Sequence, residues 1–425
     1  MTKPFKGLFI AGLFFFITNI SFAQSDMIAA INGQIIPLKT LEPGADLADL
    51  QKLKPILKDK EIIGLGEATH GTHEFFLFKH RMLQFLVKEM GVKAFIMEGD
   101  FAGAQAMNDY VVNGKGTVDK GLQGVGFGIW MTQEVVDMAN WLKAYNATQP
   151  AENKVRFFGC DMQWGSSAMA MLKEYLTPTN QFTPEMEVAY AATKLYAPSL
   201  NSKDKAAIKG AVNSLNKIKF TEGDTAMYRH YVRELQQFII YIDAQSTLFP
   251  AKQSDVRDKC MAENVEWIAN YMHHSKVMVW AHNGHINKTA GSDGYKRMGM
   301  YLANDLKDKY YAMGFDFNNG SMRSFDMKQR KNVAAEMPKA RPGSSGDVFA
   351  QCAEPNFILD FKSASADPLV NTFLNTNIAS VFYGAQYNGE APHYVTHKLA
   401  ETFDAMIFIR DTHAAMDEKQ PDVTK

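Results

Sequence analysis

The chain alternates short unbroken apolar runs with longer stretches of helical periodicity. Residues 62–65, 94–97 and 277–281 are continuously apolar rather than alternating, and Val155, Phe157 and Phe158 make a similar run broken by Arg156, which marks strands covered on both faces and hence a largely parallel sheet. Residues 310–316, 357–360, 378–383 and 405–409 read as later strands. Between them Leu47, Leu50, Leu53 and Leu57 keep helical spacing, and Phe75, Phe78, Met82, Phe85 and Leu86 form one stripe that Gly91 ends. Strands alternating with helices predict an α/β fold with a central sheet flanked by helices.

Residues 181–274 break that rhythm, because they contain only helical patterns. One of them carries Tyr228, Tyr231, Val232, Leu235, Phe238, Ile239 and Ile242 on a single stripe. An all-helical insertion between two chemistry-bearing strands is expected to form a lid over the carboxyl edge of the sheet. The core is then residues 24–180 and 275–425, with the lid between. Residues 331–347, charged and then rich in Gly, Pro and Ser, read as a loop.

Composition narrows the class. The 425 residues carry 45 basic and 46 acidic side chains, so no nucleic-acid surface is expected. Apolar residues make up 46%, enough for a large core. Lys3 and Lys6, an apolar run over residues 8–17 and the small residues before position 24 predict a signal peptide spanning residues 1–23. The mature protein is then expected in the periplasm or outside the cell, without stable membrane insertion. Cys160, Cys260 and Cys352 are too few for a disulfide framework, though one disulfide with a spare thiol is compatible with that compartment.

The chemistry gathers at four strand ends: Glu67 with His70, Glu98 with Asp100, Asp161, and His282 with His285. Parallel strands bring such tips to one edge, where α/β folds bind ligands. Glu74 and Arg81, one and two turns into the following helix, are expected either to aim into the cleft or to pair with each other. The pairs His70/His73 and His282/His285 have a spacing that could chelate a metal, but neither forms a His-Glu-x-x-His pattern. No Gly-x-Ser-x-Gly elbow occurs. Histidines and carboxylates without a serine or cysteine nucleophile favour attack by water, with one histidine as general base. A second histidine or Arg81 would stabilise the oxyanion or protonate the leaving alcohol. A metal-dependent hydrolase or peptidase, an envelope polysaccharide-related protein with the same fold, and a non-enzymatic ligand-binding envelope protein are the alternatives.

Several of these residues fall in motifs that resemble the erythromycin esterase family. They are Gly66-Glu67-Ala68-Thr69-His70-Gly71 with Glu74 and Arg81, Met97-Glu98, Gly159-Cys160-Asp161, Arg257-Asp258, Met261-Ala262-Glu263-Asn264, Trp280-Ala281-His282-Asn283-Gly284-His285, and Phe403-Asp404-Ala405. The resemblance implies metal-free, cofactor-free hydrolysis of a macrolide lactone. His70 is the implied general base, surrounded by Glu67, Glu98, His282 and His285. Glu74, Arg81, Asp100 and Asp161 are the candidate substrate contacts. The expected partner is a small-molecule ester.

Overall fold

The computed structural model describes residues 24–247, 250–290, 294–387, 389 and 391–418. The predicted signal peptide lies outside them. In chain order the strands are β1 (Ile36–Pro37), β2 (Ile62–Leu65), β3 (Ala94–Asp100), β4 (Arg156–Asp161), β5 (Val277–Trp280), β6 (Tyr310–Asp326), β7 (Lys331–Met337), β8 (Asn356–Asp360), β9 (Asn377–Val381), β10 (Tyr394–Lys398) and β11 (Ala405–Thr412). The main sheet runs β1-β8-β11-β6-β2-β5-β3-β4, with β7 added beside β6. From β11 to β4 every neighbouring pair is parallel, while β8 and β7 pair antiparallel. The sheet is therefore mostly parallel, and helices flank it on both faces.

The unbroken apolar runs have the cause inferred for them. Ile62, Ala94, Ile96, Val277 and Val279 belong to one buried cluster, and Ile63, Leu65, Phe95, Met97, Met278 and Trp280 to another. Alternate side chains point to opposite faces, so each strand feeds two cores. On the second face lies α1 (His73–Met90), whose Phe75, Phe78, Met82, Phe85 and Leu86 are fully buried. Gly91 stops it in the left-handed conformation at φ 74°.

The first face is covered by α2 (Ser166–Leu176), α3 (Pro184–Thr193), α4 (Ser202–Leu215), α5 (Thr225–Thr247) and α6 (Pro250–Tyr271). Leu172, Met186, Leu215, Leu235, Met261 and Val265 share the cluster that contains Ile96 and Val279. No strand occurs between β4 and β5 among the described residues. The helical segment is thus a structural layer of the sandwich, and it also reaches the carboxyl edge through α5 and α6.

Residues 331–337, expected as a loop, are instead strand β7. β6 is 17 residues long, and its last part, Gly320–Asp326, runs on to pair with β7 as a hairpin. Its outer strand buries almost nothing, so its sequence carries no apolar signal. The pair β9–β10 forms a separate ribbon. A buried hydrogen-bonded chain ties it to β6: Asp316 to Ser345, Ser345 to Ser380 at 2.7 Å, and Ser380 to His397 Nε2 at 2.8 Å. Thr402 gives its hydroxyl hydrogen to the Lys398 carbonyl, so it accepts Nδ1–H of His397. Burial lowers the His397 imidazole to about 4, so it enters the chain neutral.

Cys160, Cys260 and Cys352 are all buried free thiols, so no disulfide forms among them.

Two glycines in the turn after β2 are required by close approach. At Gly66 a Cβ would sit 2.1 Å from Asn283 Oδ1, and at Gly71 it would sit 2.0 Å from the Arg323 carbonyl oxygen. Asn283 crosses there to bond both backbone groups of Phe315, Nδ2 to O at 2.7 Å and Oδ1 from N–H at 3.0 Å. Gly71→Ala is expected to destabilise the fold by about 1–3 kcal/mol through overpacking against β6. Urea denaturation measures it, and a change below about 0.5 kcal/mol would show that the contact yields freely.

Candidate active site

The strands β2, β5, β3 and β4 are neighbours, so their carboxyl ends present Glu67/His70, His282/His285, Glu98 and Asp161 along one edge. Parallel topology thus assembles residues from distant parts of the chain.

Glu67 is completely buried and has three partners. His70 Nδ1–H donates to Oε1 at 2.6 Å, while Lys79 Nζ and Trp280 Nε1–H donate to Oε2 at 2.5 and 2.9 Å. Lys79 is equally buried and lies 4.3 Å from the Trp280 ring centroid. Burial drives its ammonium down to about 8 against the pull of Glu67. At neutral pH it therefore stays charged and places a cation against the buried Glu67 carboxyl. The carboxylate fixes Nδ1 as the donor of His70. Among the described residues Nε2 has no hydrogen-bond partner, and the ring is slightly exposed. That nitrogen carries the lone pair a general base needs.

A cationic pair forms the second half. Arg257, from α6, reaches Glu98 Oε1 at 2.8 Å and Asp161 Oδ2 at 2.6 Å. His285 Nδ1–H donates to Asp258 at 2.7 Å, and its Nε2 lies 3.2 Å from Glu98 Oε1 and 3.0 Å from Arg257 Nη1. Guanidinium and imidazolium share that one carboxylate oxygen. Burial works against charge on His285, but Asp258 and Glu98 outweigh it and bring the imidazole up to about 10. Burial also opposes charge on Glu98, yet His285, Arg257 and His70 hold its carboxyl well below the usual range.

His282 is placed differently from its expected acid–base role. Its Nε2–H donates to the Tyr383 carbonyl at 2.9 Å, and its Nδ1 accepts from Gly284 N–H at 3.1 Å. Both nitrogens are spent on backbone. Burial, with the charges of His70 and His285, pushes it well below the ordinary histidine value. It stands 4.8 Å from the His70 ring as a neutral neighbour.

The four expected substrate contacts also need correction, because none opens onto the cleft. Arg81 is fully buried and bonds Asp49 at 2.5 Å and the Thr40 carbonyl at 2.8 Å, which pins the segment before β2. Glu74 takes both the backbone and the ring N–H of His413. The two share a helix but not a partner. Asp161 is fully buried and supports Arg257. Asp100 is buried behind the edge, bonded to Gly103 N–H, and burial and Asp161 raise it to about 7. No trio of His, Cys, Asp or Glu side chains that could hold a metal occurs among the described residues. The His-x-x-His pairs are dispersed: His73 bonds Glu134 at 2.5 Å, and the other three rings bond the partners given above.

Sequence reasoning missed Lys79 and gave Arg257 and Asp258 no role. A lone lysine inside a helical pattern normally reads as solvent-facing, so nothing in the pattern flags Lys79. Trp130 was missed as well. It donates to the Glu98 carbonyl at 2.8 Å and sets its ring edgewise to His70 at 5.7 Å.

The family profile described as erythromycin esterase matches residues 87–412. The chain belongs to the erythromycin esterase family. It is 25% identical over 375 residues to the erythromycin esterase type II of Escherichia coli, covering 78% of this chain and 88% of that protein. It is 24% identical over 355 residues to the putative hydrolase YbfO of Bacillus subtilis, covering 74% and 77%. A Bacillus cereus protein superposes with a TM-score of 0.78 at 25% identity, covering 93% of this chain and 99% of its own. A mutant of the erythromycin esterase EreC in its open conformation gives 0.63 at 16% identity, covering 89% and 98%, and shares the fold. Membership in the erythromycin esterase family makes this chain a hydrolase of that type. No helix among the described residues is long and apolar enough to cross a membrane.

Two outcomes are expected. Lys79→Met leaves Glu67 buried without its counter-charge and should cost about 3–5 kcal/mol in chemical denaturation; a loss under 1 kcal/mol would contradict the pairing. For His285 the folded chain holds a proton between about 6.5 and about 10 that the unfolded chain gives up. Its contribution is therefore complete below pH 6.5 and is lost as pH rises toward 10. The stability gap between wild type and His285→Asn should shrink across that window, and a constant gap would refute it.

Proposed function

We propose that the protein hydrolyses a carboxylic ester, the lactone of a macrolide, by direct attack of water activated at His70. The observation that carries this reading is the asymmetry of the His70 ring: one nitrogen is clamped by a water-free carboxylate and the other has no hydrogen-bond partner among the described residues. Water gives a proton to Nε2 as its oxygen adds to the ester carbonyl. The resulting oxyanion is stabilised by the cations Arg257 and His285, both held in place by Glu98 before substrate arrives. When the tetrahedral adduct collapses, the alkoxide leaves and takes the proton from His70. Ester plus water becomes acid plus alcohol, and His70 returns to its starting form.

Glu67 keeps the proton on Nδ1 and so steadies the imidazolium while it exists. No metal or cofactor enters the scheme. The N-terminal apolar run supports export, which would place the enzyme where a macrolide first meets the cell and make drug inactivation its role.

Erythromycin incubated with purified protein should gain the mass of one water. His70→Ala should abolish the gain, and Glu67→Gln should lower kcat by about 10²- to 10⁴-fold. An unchanged drug mass in the presence of folded wild-type protein would eliminate the macrolide assignment.

A further inference from the structure

Proton chemistry and charge stabilisation leave one feature of the cleft unused. The short loop between Gly126 and Trp130 turns two aromatic rings in different directions. Trp130 goes inward, fully buried, to Glu98 and His70. Phe127 stays partly exposed, with the guanidinium carbon of Arg257 6.0 Å from its centroid. Beyond it Trp164, three residues past the tip of β4, is also partly exposed and meets Phe127 edge to face at 4.8 Å and 68°. Gly126 makes that junction feasible: its φ is +97°, and a Cβ there would stand 3.2 Å from the indole ring.

Two large rings therefore form a corner beside the cationic half of the site. Gln163, next to Trp164, is fixed between Asp161 at 2.9 Å and the Tyr241 hydroxyl of α5 at 2.7 Å, so the corner is held on both sides. Aromatic surface left partly in water at the wall of a catalytic cleft is costly for the protein alone and useful to a ligand. Its polar equipment is limited to the Trp164 indole N–H, so it suits carbon-rich faces. Broad aliphatic rings, which present rows of C–H bonds, cover such rings with large dispersion contact.

We propose that Phe127 and Trp164 are the platform that receives the non-reacting ring face of the substrate, selecting esters with a broad aliphatic ring over small open-chain esters. This rests on the ester-hydrolase reading above. The pair sets specificity and takes no part in proton transfer.

The test compares erythromycin with p-nitrophenyl acetate on wild type, Trp164→Ala, Phe127→Ala and Trp164→Phe. For both alanine variants the ratio of kcat/KM for the macrolide to kcat/KM for the small ester should fall about 3- to 10-fold, mainly through KM. Trp164→Phe should recover most of it. A ratio within twofold of wild type in both alanine variants overturns the platform. If wild type turns over neither compound, the hydrolase reading fails, and calorimetric binding of erythromycin decides the platform separately. Affinity about 3- to 10-fold weaker in Trp164→Ala than in wild type sustains it; equal affinity, or no binding to wild type, refutes it.

Discussion

Glu67 is a carboxyl group with no access to water, and the candidate site depends on the side chains that hold it. An isolated buried carboxylate would take up a proton. Lys79 sets a cation against Glu67 at 2.5 Å, and Lys79 in turn holds its proton against burial through Glu67 and, less strongly, Glu98. Neither charge is tenable without the other, so the pair fixes the geometry at the foot of α1. His70 inherits that rigidity through a single hydrogen bond.

The second constraint is topological. Strands distant in sequence lie side by side, so Glu98 and the loop after β5 meet without long loops. Arg257 arrives from the other direction, out of the helical layer that covers one face. Its bonds to Glu98 and Asp161 join that layer to the sheet at the point where charge is concentrated. Cation and carboxylates are set by the packing of the fold before any ligand binds, which is how electrostatic stabilisation avoids reorganisation.

Much of this was legible in the residue pattern because burial on both faces writes itself as unbroken apolar runs. The tips of β2 to β5 could be read, and with them Glu67, His70, Glu98 and His285. What could not be read was direction. Glu74 and Arg81 look equivalent to site residues along a helix, but only the three-dimensional packing reveals His413 and Asp49 as their partners. Strand β7 was invisible because an exposed hairpin needs no apolar side chains. Lys79 was invisible for the opposite reason: a buried cation has no signature until its carboxylate is found.

His282 has spent its acceptor on Gly284 and its donor on Tyr383, so taking up a proton would break a backbone contact. The ring beside His70 is thus an electrical insulator. In the proposed mechanism a positive charge would come and go on His70 without an adjacent imidazole competing for it, and the residue that most resembles a second base would leave the first one sole custodian of the proton.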